Sequence, residues 1–129
     1  MLDIRTTARG TLRVPFARIA EGILGPRYQL SLVLCGDTLA QQMNVRYRKK
    51  SYRPNVLSFP LSKTEGEIIL NVRKAEREAR AEGVSMSERA TYLFIHACLH
   101  LKGLDHGARM DTFEVSWMRR SGYQDFALR

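Results

Sequence analysis

The sequence predicts a single α+β domain, a small mixed β-sheet flanked by helices, with one long helix over residues 87–102 at its centre. Short runs of alternating apolar residues are interleaved with stretches whose apolar residues recur at helical spacing. The chain has 129 residues, 44% hydrophobic and 26% charged, enough to bury one core. No repeat, low-complexity tract or linker-like composition divides it.

Residues 2–7 form a short first strand. Phe16, Ile19, Ala20, Ile23 and Leu24 make a helical stripe over residues 14–24, which stops at Gly25-Pro26. Tyr28, Leu30, Leu32 and Leu34 alternate through a strand over 28–35. Gly36 turns the chain, and Asp37 caps a helix running to Tyr47. Residues 55–59 and 67–71 are two further short strands on either side of a polar loop over 62–66. A highly charged helix runs from Asn71 to Glu82 and ends at Gly83. Ser85-Met-Ser-Glu88 matches a capping box and opens the long helix. A last helix covers residues 109–120.

Lysine and arginine together number 21 against 13 acidic residues, a net charge of +8. That excess favours a polyanionic partner, nucleic acid before an acidic membrane surface. No apolar run approaches the about 20 residues that span a bilayer, so no membrane partner is expected. Met1-Leu-Asp-Ile-Arg5 lacks the apolar core of a signal peptide. Cys35 and Cys98 are far apart and outside any CxxC spacing, as in a reducing compartment. These features lead to the expectation of a soluble, cytoplasmic protein.

All three histidines fall in one segment, His96-Ala-Cys-Leu-His100-Leu-Lys-Gly103-Leu-Asp105-His106. Residues four apart share a helix face, so His96 and His100 present their imidazoles to one point. His106 reaches that point only if the chain turns back, and Gly103 accepts the left-handed conformation that ends helices. Three imidazoles suit one zinc ion and leave a fourth tetrahedral position open, the mark of a catalytic site. Zinc lowers the pKa of bound water to about 7. Metalloproteases of the HExxHxxGxxH type share this spacing, but Ala97 stands where their general base would be. Peptide hydrolysis is therefore the weaker reading. Cys98 lies on another side of the helix and is expected to pack rather than ligate.

The segment from His96 to His106 resembles the H-G-x-L-H-L-x-G-Y-D-H signature of the YbeY endoribonucleases. Asn44-Val-Arg-Tyr-Arg48 and Asn55-Val-Leu-Ser-Phe-Pro60 are similar to that family's L-N-x-x-Y-R and T-[DN]-V-L-S-F-P stretch. Gly66-Glu-Ile-Ile-Leu70 resembles its G-D-I-x-I strand, and Ser121-Gly-Tyr-Gln-Asp125 its closing L-G-Y-x-D. The matches keep the family's order from about residue 40 to 125. The chain departs from the pattern at Met43, Pro54, Glu67, Ala97 and Leu104.

The resemblance implies a zinc-dependent, single-strand-specific endoribonuclease acting on ribosomal RNA precursors and defective ribosomes, with small-subunit ribosomal proteins as candidate partners. It implies His96, His100 and His106 as metal ligands and Arg48 as a catalytic residue beside them. Arg48 suits a phosphodiester hydrolase, whose transition state gathers negative charge. By residue type alone it is one of a basic cluster with Arg46, Lys49, Lys50 and Arg53, a surface able to track phosphates. Asp105 is the second catalytic candidate. It stands beside His106, where it could accept a proton, and a role orienting an imidazole or capping the turn is favoured over that. Asn55 and Ser58 are expected to satisfy strand-end backbone. Arg73, Arg77 and Arg80 alternate with Glu76, Glu78 and Glu82 as a solvated, salt-bridged face. Two alternatives stand beside the nuclease: an RNA- or ribosome-binding assembly factor with a structural metal, and a metzincin-like peptide hydrolase without the usual glutamate.

Overall fold

The computed structural model describes residues 1–7 and 12–128. Four strands form one mixed sheet in the order β1-β2-β4-β3, from β1 (Leu2–Thr6), β2 (Gln29–Cys35), β3 (Val56–Pro60) and β4 (Glu65–Asn71). β1 and β4 both pair in parallel with β2, while β3 pairs antiparallel with β4 at the sheet edge. The parallel pairs require crossovers. Helix α1 (Phe16–Leu24) lies in the first, and α2 (Asp37–Arg48) with β3 in the second. Three further helices complete the chain: α3 (Val72–Glu82), α4 (Met86–Leu101) and α5 (Ala108–Arg120). The α+β class and the central long helix match the expectation.

Strand alternation sorts the sheet's side chains into two faces. Leu30, Leu32, Ile68 and Leu70 point to the side where α4 lies, and join Ile19, Phe94, Ile95 and Met118 in the main core. Phe16 packs edge-on against Phe94 with ring centroids 4.9 Å apart. Cys35, Leu57 and Ile69 point the other way, against Ala40 of α2, and form a smaller cluster. Helix α4 touches α1, α3, α5, β3 and β4, so it is enclosed on most sides. Its buried residues Leu93, Phe94, Ile95, Ala97, Cys98 and Leu99 leave only a narrow strip open. Ala20 and Ile23 bring α1 into the same core, where Gly22 makes room for the Trp117 ring. A Cβ at Gly22 would collide with the Trp117 ring.

The boundaries differ from the sequence reading at a few points. β4 begins at Glu65, because Glu65 and Gly66 pair with Gln29 and Leu30 of β2. The polar loop predicted over 62–66 is shorter by those two residues. Asn71 is the cap of α3 rather than its first residue, its side-chain oxygen accepting from the backbone N–H of Arg73 and Lys74. Its amide donates to Asp37 and to the Pro54 carbonyl, so one fully buried asparagine ties together the starts of α2, β3 and α3. Arg77 makes two hydrogen bonds to the same Asp37 carboxylate, at 2.8 and 2.9 Å. These two bonds, with that from Asn71, hold the Asp37 carboxyl down at about 2, below its ordinary 3.8.

The expected salt-bridged face of α3 is present in part. Arg80 faces Glu76 along the helix, but Glu78 and Glu82 turn to Arg89 of α4. Glu78 also accepts from Asn55 Nδ2, which locks the start of β3 against α3 and α4.

Candidate metal centre

His96 and His100 lie one turn apart on the last two turns of α4, and the chain reverses after them. Gly103 takes φ +104°, and its N–H donates to the His100 carbonyl. The Leu104 N–H then reaches back to the Leu99 carbonyl. This left-handed helix end is the reversal the sequence demanded, and it brings His106 over the two helical histidines. The three rings form a close triangle with centroids 4.6, 5.2 and 5.0 Å apart. One ligand nitrogen from each lies within 4.8 Å of the others. His96 and His100 are half-buried and His106 is exposed, so the triangle is open on one side.

The hydrogen bonds settle which nitrogens face inward. His100 Nδ1 donates to the Leu104 carbonyl at 3.0 Å, and a carbonyl can only accept. His96 Nδ1 lies 2.6 Å from the Glu114 carboxylate. The two Nε2 atoms face each other at 3.1 Å, and in neutral imidazoles whose outer nitrogens donate they turn lone pairs toward one another. Two lone pairs at that distance repel unless a cation lies between them. Around a tetrahedral zinc with Zn–N of about 2.0–2.1 Å, neighbouring nitrogens stand about 3.3 Å apart. The donor set thus fits a divalent ion bound by imidazoles. Burial, and secondly the field of His96, push the His100 pKa below its ordinary value, opposed by the Leu104 carbonyl. The shift favours the neutral imidazole, the form that ligates.

A cleft of about 580 Å³ opens beside the triangle, between α4 and the edge strand β3. Along with the three histidines, Arg48, Ser58, Tyr92 and Arg89 line it. Arg48 is the last residue of α2, on the opposite face of the sheet, and reaches round the β3 edge. One of its N–H groups donates to the Ser58 carbonyl at 3.0 Å, and its guanidinium lies 5.5 Å from the Phe59 ring centroid. The loop behind it is tied back to α2. Asn44 Nδ2 donates to the Tyr52 carbonyl and Gln41 Nε2 to that of Ser51.

Of the residues singled out in the sequence, His96, His100, His106 and Arg48 meet at this cleft. Asn55 and Ser58 line it as well. Asn55 accepts from the Val56 N–H, as expected of a strand end, while its amide binds Glu78. Asp105 is exposed and lies outside the cleft lining; its charge raises the His100 pKa, a minor effect beside burial. Cys98 is fully buried in the core, outside the histidine group. Ala97 lines the cleft where a protease of this spacing would place its glutamate.

Sequence reasoning missed Glu114 of α5. Its carboxylate is 2% exposed and holds His96 through one oxygen and the Tyr92 hydroxyl, at 3.2 Å, through the other. One signal was available: Met110, Glu114 and Met118 are spaced by four on the buried stripe of α5, and only one of them is acidic.

This chain is similar to known proteins over nearly its whole length. A relative from Polynucleobacter asymbioticus named Endoribonuclease YbeY is 30% identical, over 97% of this chain and 92% of that one. Another of the same name from Chelativorans sp. is 32% identical, over 93% and 80%. The solution structure of TM1509 from Thermotoga maritima shares the fold, with a TM-score of 0.69 at 21% identity over 98% of this chain and 97% of that one. The family model described as Endoribonuclease YbeY matches residues 6–125, nearly the whole chain, and this chain therefore belongs to the YbeY family.

Proposed function

We propose that this protein is a zinc-dependent, single-strand-specific endoribonuclease of ribosomal RNA maturation and ribosome quality control, with one ion held by His96, His100 and His106. The observation that carries this reading is the pair of facing Nε2 atoms 3.1 Å apart, in a histidine triangle that opens on the cleft lined by Arg48. Bound there, zinc supplies Lewis-acid chemistry toward a phosphoryl oxygen or a water. The protein's own residues do the rest. The Ser58 carbonyl and the Phe59 ring hold the Arg48 guanidinium at the cleft, with donors left over for the non-bridging oxygens of a phosphodiester. Arg46, Lys49, Lys50 and Arg53 surround it on an exposed surface, and Tyr47 and Tyr52 are exposed among them. A cationic strip carrying open aromatic rings suits single-stranded RNA, which offers phosphates and unstacked bases. Asp105 is assigned an electrostatic or orienting part at the triangle's rim. Small-subunit ribosomal proteins in the cytoplasm are the partners this role would bring. Among the described residues no helix is long and apolar enough to cross a membrane.

One observation favours a second reading, an assembly factor that binds RNA and uses its metal for structure. Among the described residues lining the cleft there is no aspartate or glutamate to take a proton. The same absence, at Ala97 above all, disfavours a peptide hydrolase.

The test is elemental mass spectrometry on the untagged protein and on His100→Ala, followed by cleavage of a single-stranded ribosomal RNA fragment. Near-stoichiometric zinc and turnover in the wild type, both lost in a folded variant, are expected. A folded wild type without metal would overturn the zinc assignment. A zinc-loaded protein that binds the fragment without cutting it would favour the assembly factor.

A further inference from the structure

Glu114 occupies a core position on α5, between Met110 and Met118, at 2% exposure. An ionised carboxylate there is costly unless its charge is answered. Among the described residues no lysine or arginine pairs with it; its partners are the Tyr92 hydroxyl and His96 Nδ1. Tyr92 is itself fixed. Its ring stacks on Phe126 with centroids 5.7 Å apart, and the Arg89 guanidinium lies 5.2 Å from its centroid on α4. The carboxylate is thus aimed from a rigid helix at the outer nitrogen of one imidazole. The three histidines are supported unequally. His100 is held by a backbone carbonyl, whereas His96 is held by a side-chain carboxyl group.

We propose that Glu114 is a positioning residue of the metal centre, which fixes the tautomer and ring orientation of His96 and answers the charge of a divalent ion across that imidazole. The inference rests on the reading that the three histidines hold a metal. An N–H donated to a carboxylate makes the opposite nitrogen a better ligand, and the cation in turn supplies the counter-charge that Glu114 lacks. Tyr92 holds the second carboxylate oxygen, so that the first stays on Nδ1. Removing such an outer partner costs about 10–100-fold in metal affinity. Burying the charge where only a cation balances it also links folding to loading. The metal-free protein carries the cost, and the loaded protein recovers it.

The experiment measures zinc affinity by competition with a chelating dye for the wild type, Glu114→Gln, Tyr92→Phe and His100→Ala. Melting temperatures with and without zinc, and the ¹⁵N shifts of His96 in the metal-free state, are recorded alongside. Glu114→Gln is expected to bind zinc about 10–100-fold more weakly, with Tyr92→Phe losing less. The metal-free Glu114→Gln protein should melt no lower than the wild type, while its zinc-induced rise in melting temperature shrinks. A residue of merely structural role would lower the metal-free value instead. The ¹⁵N shifts should show a proton fixed on Nδ1 of His96 in the wild type and a tautomer mixture in the variant. If Glu114→Gln matches the wild type in affinity while His100→Ala loses zinc, the positioning role is overturned and the metal centre stands. If the wild type itself takes no zinc, both fall together.

Discussion

On one side of the sheet, α1, α3, α4 and α5 close over Leu30, Leu32, Ile68 and Leu70, and the core is thick. On the other side α2 alone covers Cys35, Leu57 and Ile69, with Ala40 as its one fully buried apolar contact. The candidate site is assembled across this asymmetry. His96 and His100 stand on α4, the most enclosed helix, with His106 on the turn that follows it, while Arg48 comes over the β3 edge from the thinly packed side. A metal centre needs ligands held to a few tenths of an ångström, which a crowded helix provides. A guanidinium that must meet a long flexible polyanion needs access, and a helix end beside a sheet edge provides that. In this molecule burial and exposure are divided between the two faces accordingly.

Phe94→Ala removes a fully buried ring at the centre of the main core and should cost about 3–5 kcal/mol by denaturant titration. Leu57→Ala, in the smaller cluster, is expected near 2 kcal/mol, because a thin layer collapses more readily onto a cavity. Equal losses would mean that the faces share the load. Arg48→Ala should leave the melting temperature within about 2 °C of wild type while single-stranded RNA cleavage falls about 100–1,000-fold. Lysine at the same place should restore little, having no planar fork.

A minor effect is expected at the α2 start, where Asp37 joins Asn71 and Arg77. Its folded pKa, about 2, lies below the ordinary 3.8, so it stabilises fully above pH 3.8 and the contribution is lost as pH falls through 2. Asp37→Asn should melt slightly below wild type at pH 7, with the gap closing across that acid window. A gap that persists at pH 2 would point to packing rather than charge.

What the sequence made legible was periodicity within elements. The four-residue spacing of His96 and His100, the Gly103 reversal and the alternation of β2 each follow from one stretch of chain. Arg48, too far from the histidines for any spacing rule, was reached through its resemblance to a family motif. What stayed hidden were choices of partner between elements. Glu78 and Glu82 had neighbours of opposite charge within α3 and took Arg89 on α4 instead. Glu114 was not singled out, because nothing local says that α5 turns that stripe against α4. β4 gained Glu65 and Gly66 from its parallel partner β2, whose pairing strength no hydropathy pattern in 62–66 expresses. Register and helix contacts are set by the whole packed chain, so they are the last features to appear in a linear reading.

The two cysteines have a practical consequence. Cys35 belongs to the small cluster and Cys98 to the large one, both are free, and neither is exposed to solvent. Burial raises both thiols, Cys35 to about 11, so neither reacts while its layer stays shut. Each thiol is therefore a native clock for one layer. Pulsed alkylation read out peptide by peptide would time the opening of the α2 side and the α4 side separately, in the unmodified protein. A faster Cys35 would mean that the arginine's support breathes while the histidines stay in place.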